Sequence, residues 1–336
     1  PGAPPPPGAD KPSNYDIDLW KKLRSGTAGN VSIPDKKAGV LVQTEGEMWR
    51  NLRNGPLTLY GAYAMAGMLG LIVLFFVVRG RVRIEHGWSD QTLVRFTTFE
   101  RMAHWLLATS FIILALTGLN VLYGRYLLPP IIGKEAFAQL SYAGKLVHSY
   151  VAFAFMVALV MTFVRWVIYN MPSWRDAVWV AKGGGMIKGV HPPSWKFNAG
   201  QKILFWLVIL GGVSISLSGL SMMLPDRLPM FAKTFGWINA VLGTSLPTTL
   251  TTHQEMQLAV TWHGIMALFL VCVILGHIYI GTLGMQGAFA AMGSGRVDVN
   301  WAKEHHSLWA ERELQAMAAA AGDSMKPPAS KMTPAE

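Results

Sequence analysis

Five apolar stretches of about 20 residues or more set the pattern of this chain: Leu57–Val78, Ala103–Tyr123, Leu146–Tyr169, Ile203–Leu224 and Leu258–Leu283. At about 1.5 Å of rise per helical residue, each can cross a hydrocarbon layer about 30 Å thick, so the pattern predicts five transmembrane helices. None of the five contains Asp or Glu, which argues against the carboxylate relays of proton pumps and secondary transporters. Residues 1–56 lack apolar periodicity and begin PGAPPPPGADKP, which reads as an extended arm lying on a partner's surface, with Glu47–Arg53 helical before the first span. A signal peptide cleaved upstream of Pro1 would fit this start, and so would an arbitrary boundary. Residues 310–336 read as a disordered tail, and there are no internal repeats.

Composition agrees with a multi-span membrane protein: 51% of the 336 residues are hydrophobic and 14% charged. The net charge of +10 does not point to nucleic acid, because the basic residues flank apolar spans instead of forming a stripe on a soluble domain. Five basic residues lie between the first two spans, five between the third and fourth beside Arg165 near the end of the third, and five after the last, against three and two in the other connections. By the positive-inside rule the rich segments and the C-terminus are cytoplasmic, and the N-terminal arm is periplasmic. The arm's eight basic residues run against this, but over 56 residues and beside six acidic ones they carry little orientational weight. The one cysteine, Cys272, excludes intrachain disulfides, iron–sulfur ligation and covalent haem attachment within this chain.

Nine histidines are present, and four fall at membrane depth: His104, His148, His263 and His277. His263 and His277 are fourteen residues apart on one span, which leaves them within about 40° of each other and about 21 Å apart along the helix. They face one way, one in each membrane half. A buried imidazole needs a partner, and it is the commonest metal ligand, so axial ligation of two stacked b haems follows. The topology pairs them by depth, His148 with His263 near the outer face and His104 with His277 near the inner face. The competing reading is polar glue between helices. Gly118, fourteen residues after His104, lies level with the outer pair and leaves room for a haem edge, though ordinary close helix packing also explains it. His86, His191, His253, His305 and His306 lie in loops or the tail and are expected to be solvated.

From about Thr97 to Trp309 the chain resembles the gamma subunit of respiratory formate dehydrogenase, a family of membrane dihaem cytochromes b. The resemblance rests on RMAHW around His104, KLVHSY around His148, KFNAGQK at 196–202, WHGIM and GHIYI around His263 and His277, and WAKEHHSLW at 301–309. It implies an all-α membrane fold, a four-helix transmembrane bundle over 97–309 binding two b haems, with the span at 57–78 as an extra N-terminal helix. It carries the haem ligands onto the same four histidines and a quinone site onto Asn198, Gly200 and Gln201, with His277 at its border. Asn198 is equally a good helix cap.

The implied partners are an iron–sulfur beta subunit and a molybdenum- or tungsten-containing catalytic alpha subunit, assembled as a trimer of heterotrimers in the bacterial inner membrane. This chain then passes electrons to quinone at the cytoplasmic side and holds no substrate-oxidising centre. Rival readings are the cytochrome b subunit of a nickel–iron hydrogenase and, from another class, a haem-free membrane anchor or transporter.

Overall fold

The computed structural model describes residues 49–185, 187 and 189–324. Expectations for residues 1–48 and 325–336 fall outside the described residues. The first long helix, α1, runs Trp49–Arg79. Pro56 lies inside it, and the turn Arg53–Leu57 is wound as a π-helix, as a missing backbone donor favours. Helix α2 (Thr98–Leu127) starts at a capping box, in which the Thr97 hydroxyl accepts from Glu100 N–H and the Glu100 carboxylate accepts from Thr97 N–H. Helix α3 follows at Lys134–Trp166. A shorter helix, α4 (Trp174–Ala181), opens on a second capping box between Ser173 and Asp176. Then come α5 (Ala199–Met223), α6 (Met230–Leu242) and α7 (Thr252–Gly284). After α7 the chain forms α8 (Val299–His305) and α9 (Ser307–Ser324).

Helices α1, α2, α3, α5 and α7 are the ones long and apolar enough to cross a membrane, and they contain the five predicted stretches almost entirely. The tail differs from expectation: α9 continues to Ser324, because its Ala, Glu, Leu and Gln residues are strong helix formers. A two-stranded antiparallel sheet was also not foreseen. Its strands, β1 (Thr92–Val94) and β2 (Arg296–Asp298), pair Leu93 with Val297, both buried.

The described residues divide into two compact units. In the smaller, which includes Leu220–Gly264, the buried carboxylate of Glu255 accepts from Phe231 N–H (2.9 Å) and Ala232 N–H (2.7 Å), satisfying free donors at the start of α6. Gly243 ends that helix in the left-handed region at φ 66°.

The larger unit comprises Tyr63–Gly219 and the residues from Ile265 on. Its core joins Phe155, Leu159 and Trp166 of α3 to Phe205 and Ile209 of α5 and to Leu93, Phe96 and Trp301. Gly211 and Gly212 allow close approach on two sides of α5: an added Cβ would come within 2.9 Å of Leu270 on α7 or 2.8 Å of Leu159 on α3. Three polar segments of this unit form one layer. Glu304 joins the segment after α7 to Glu85 N–H (3.0 Å) and His86 N–H (3.0 Å), and Asp298 accepts from Ser89 N–H (2.9 Å). Glu85 reaches Gly189 N–H (2.9 Å), and the Ser194 hydroxyl donates to His305 O (2.7 Å). These are the three segments rich in basic residues, so they share one side, as the charge count requires.

Candidate functional site

His104 on α2 and His277 on α7 meet in the larger unit, with ring centroids 6.2 Å apart and planes at 67°. The start of α2 is tied to the turn after α7: Arg101 Nε donates to Met292 O (3.1 Å), and so does Trp105 Nε1 (2.9 Å). The Trp105 ring stands edge-on to His104 at 5.3 Å. Nδ1 of His104 is buried without a hydrogen-bond partner, and an unpaired buried polar atom costs about 1–3 kcal/mol. A metal ion bonded at about 2 Å to each ring fits the interval between them. Among the described residues no group of three or more His, Cys, Asp or Glu side chains could hold a metal by itself. A haem brings its remaining ligands in its own macrocycle, and the two residues present fit one.

His148 on α3 is held from α2. The Thr117 hydroxyl donates back to Ile113 O (2.8 Å) and Leu114 O (3.0 Å), so at His148 Nδ1 (2.7 Å) it accepts. The ring proton then sits on Nδ1 and the lone pair on Nε2, the arrangement in which a ligating imidazole is oriented by a second hydrogen bond. Gly118 faces the same ring, at 3.7 Å from an added Cβ to Cε1, a contact that alanine would tolerate. Only something larger than the imidazole would make glycine necessary there. His263 lies on α7 in the smaller unit, so its pairing with His148 rests on the depth argument from sequence.

At the start of α5, Asn198 and Gln201 cap each other. Asn198 Oδ1 accepts from Gln201 N–H (3.0 Å) and Gln201 Oε1 accepts from Asn198 N–H (3.1 Å). Both amide oxygens are thus taken by backbone, which leaves the NH2 groups as donors. Gly200 lets the Trp179 ring approach, since a Cβ would lie 3.3 Å from it. Beside this turn an apolar groove of about 830 Å³ opens, lined by Val180 of α4, Ile203, Trp206 and Leu210 of α5, and Phe269 of α7, with Ala199 and Lys202 also on its wall. Lys202 pairs there with Asp176 at 2.9 Å. Burial would raise the Asp176 carboxyl, but its bonds to Lys202 and Ser173 outweigh that and hold it below the ordinary range.

Several residues that sequence reasoning missed, or placed in solvent, are buried here. Glu100, with no exposed surface, accepts from Lys196 Nζ (2.8 Å), Trp166 Nε1 (3.0 Å) and Thr97 N–H (2.8 Å). The Thr97-x-x-Glu100 spacing was a usable signal for the cap but not for the lysine. His305 and His306 are 8% and 1% exposed, not solvated as expected, because the segment after α7 folds back into the polar layer. Burial pushes His305 down to about 4 and His306 well below the ordinary histidine value, with the Arg95 charge adding to both. Arg95, 3% exposed, is itself lowered by burial to about 9, opposed by the Glu100 charge. His191 pairs with Glu85 (3.0 Å), and His86, exposed as expected, reaches Glu304 (2.8 Å).

Membrane-length helices that bring two imidazoles together fit a class, the membrane cytochromes that hold haem between helices. The chain belongs to the prokaryotic cytochrome b561 family, whose profile matches residues 95–295. That family implies haem b and a helical bundle, to which α1 is the additional helix. Among curated relatives it is similar to the formate dehydrogenase cytochrome b556(fdo) subunit of Escherichia coli K12, at 28% identity over 65% of this chain and 92% of that one. The nitrate-inducible formate dehydrogenase cytochrome b556(Fdn) subunit of the same strain is 26% identical over 68% and 94%. The formate dehydrogenase cytochrome b556 subunit of Haemophilus influenzae is 25% identical over 67% and 85%. The chain is thus a multi-pass membrane protein related to cytochrome b subunits of formate dehydrogenases.

Proposed function

We propose that this chain is the membrane electron-transfer subunit of a formate dehydrogenase, holding two b haems and delivering electrons to quinone. The observation that carries the reading is the His104–His277 pair, 6.2 Å apart and without a third His, Cys, Asp or Glu ligand among the described residues, within a chain of the cytochrome b561 family. His104 and His277 hold the inner haem; His148, oriented by Thr117, and His263 hold the outer one, with Gly118 leaving space beside it. The imidazoles of these four histidines would hold the haems, and the chemistry so supplied would be single-electron transfer between an iron–sulfur partner and quinone.

Asn198 and Gln201, their oxygens fixed by the mutual cap, direct their NH2 groups to the quinone oxygens, with Gly200 and His277 bordering the site. The apolar groove beside Ala199 and Lys202 gives the quinone's tail a way in from the bilayer. The polar layer faces the bacterial cytoplasm, from which the reduced quinone takes its protons, and the N-terminal arm faces the periplasm. There the iron–sulfur and the molybdenum- or tungsten-containing subunits dock, three such heterotrimers forming the assembly.

The test is to expose native membranes carrying the chain to formate or to hydrogen and record the b-type absorption. Reduction by formate alone is expected. Reduction by hydrogen alone would make the chain the cytochrome subunit of a hydrogenase, and a chain without any b-type absorption would be an anchor or a transporter.

A further inference from the structure

We propose that Arg95 and His306 are positioning residues for quinone binding: together they clamp Ser194–Lys196, the segment that leads into the Asn198–Gln201 cap. The inference rests on the quinone reading above and gives a role to the WAKEHHSLW segment, which haem ligation leaves unused. Arg95 Nη2 donates to Lys196 O (2.7 Å) and to His306 Nε2 (2.9 Å). A guanidinium can only donate, so Nε2 accepts and the ring proton is on Nδ1. From there it is given to Trp195 O (2.8 Å), with the Ser194 hydroxyl at 3.3 Å. That hydroxyl sends its own proton to His305 O. Two buried side chains thereby hold three consecutive residues in one arrangement.

The neighbours of the clamp leave it little freedom. The Arg95 guanidinium lies over the rings of Phe96, Trp301 and Trp309 at 5.2, 5.3 and 5.1 Å. Lys196 is fixed at its other end as well, since its ammonium reaches Glu100 at 2.8 Å. Only Phe197 separates Lys196 from Asn198, and Phe197 is wedged between Phe96 (5.8 Å) and Trp166 (5.5 Å). A shift of Ser194–Lys196 therefore passes directly to Asn198 N–H and Oδ1, the two atoms of the cap on which the orientation of the amide donors depends. A buried cation is a costly way to stabilise a fold, and fixing a geometry is its better-attested use.

The experiment uses membranes carrying the haem-loaded chain and menadiol, a soluble naphthoquinol, as electron donor; the initial rate of haem reduction is followed against menadiol concentration. Asn198→Ala should raise the half-saturating concentration, and His306→Ala should raise it by about tenfold while the maximal rate and the dithionite-reduced haem spectrum stay as in the parent. His306→Asn, whose amide can still donate to Trp195 O, should recover part of the loss. If His306→Ala loses haem, Ser194→Ala replaces it, with a rise of roughly twofold expected. A rise for Asn198→Ala with none for the His306 or Ser194 variants overturns the clamp and leaves the quinone site standing. No rise for Asn198→Ala overturns the quinone reading, and this proposal with it.

Discussion

Replacing Glu100 by alanine should destabilise the larger unit. Its carboxylate has no exposed surface and is shared by Lys196 Nζ at 2.8 Å, Trp166 Nε1 at 3.0 Å, Thr97 N–H at 2.8 Å and the Thr97 hydroxyl at 3.0 Å. Arg165 adds a longer contact at 3.6 Å but is 42% exposed, so its share is small. Removing one partner of a buried ion pair costs about 3–5 kcal/mol. Lys196 keeps 17% of its side chain exposed and can regain some water, which places the expectation at about 3 kcal/mol. Glu100→Gln keeps one acceptor oxygen and loses the charge, so its cost should be smaller. The assay is equilibrium unfolding of the haem-loaded protein in mixed micelles titrated with SDS, read by tryptophan fluorescence. A loss below about 1 kcal/mol for the alanine variant, the range of an exposed pair, would refute the argument that this carboxylate ties the cap of α2 to α3 and to the entry of α5.

Thr117→Val removes the side-chain acceptor at His148 Nδ1, leaving the Leu114 carbonyl, and should shift the midpoint potential of one of the two b components in a potentiometric titration while Thr117→Ser does not. If neither component moves, Thr117 does not orient a haem ligand. Acidification should loosen the polar layer: burial holds folded His305 at about 4, below its ordinary 6.5, so the unfolded state gains the proton first. The stability it contributes is complete above about pH 6.5 and falls as pH drops towards about 4. Glu304, held low by its bonds to His86 and Glu85 against the opposing effect of burial, acts in the same direction. Hydrogen exchange of the amides at 296–309, corrected for intrinsic rate, should quicken between pH 7 and 4.5, and unchanged protection would contradict this.

The five spans were legible because length and apolarity are local properties, and each predicted stretch lies almost entirely within a helix that extends beyond it. Depth pairing set His104 beside His277 from helix rise and direction of entry alone, and their rings lie 6.2 Å apart; that they hold a haem is the proposal above. The polar layer was not legible. Glu85, Glu304, Asp298 and His306 are scattered over the sequence, and their burial follows from long-range contacts between residues more than a hundred positions apart. For the same reason His305 and His306 looked like ordinary tail residues, and nothing in the sequence around Glu100 singled it out as a buried acid. Asn198 was foreseen both as a cap and as a ligand group; its oxygen serves the cap, and its NH2 is what remains for a ligand.

The central claim is that this single chain holds two haems, and the measurement that tests it most directly is the haem-to-protein ratio from the pyridine haemochrome of the purified protein, taken with its reduced-minus-oxidised spectrum. About two b haems per chain are expected, from four histidines at two per haem. About one is expected for His104→Ala and for His148→Ala, each change emptying a different site. A ratio near zero in protein made with haem available, or an unchanged ratio in either variant, would contradict the assignment of these histidines as axial ligands.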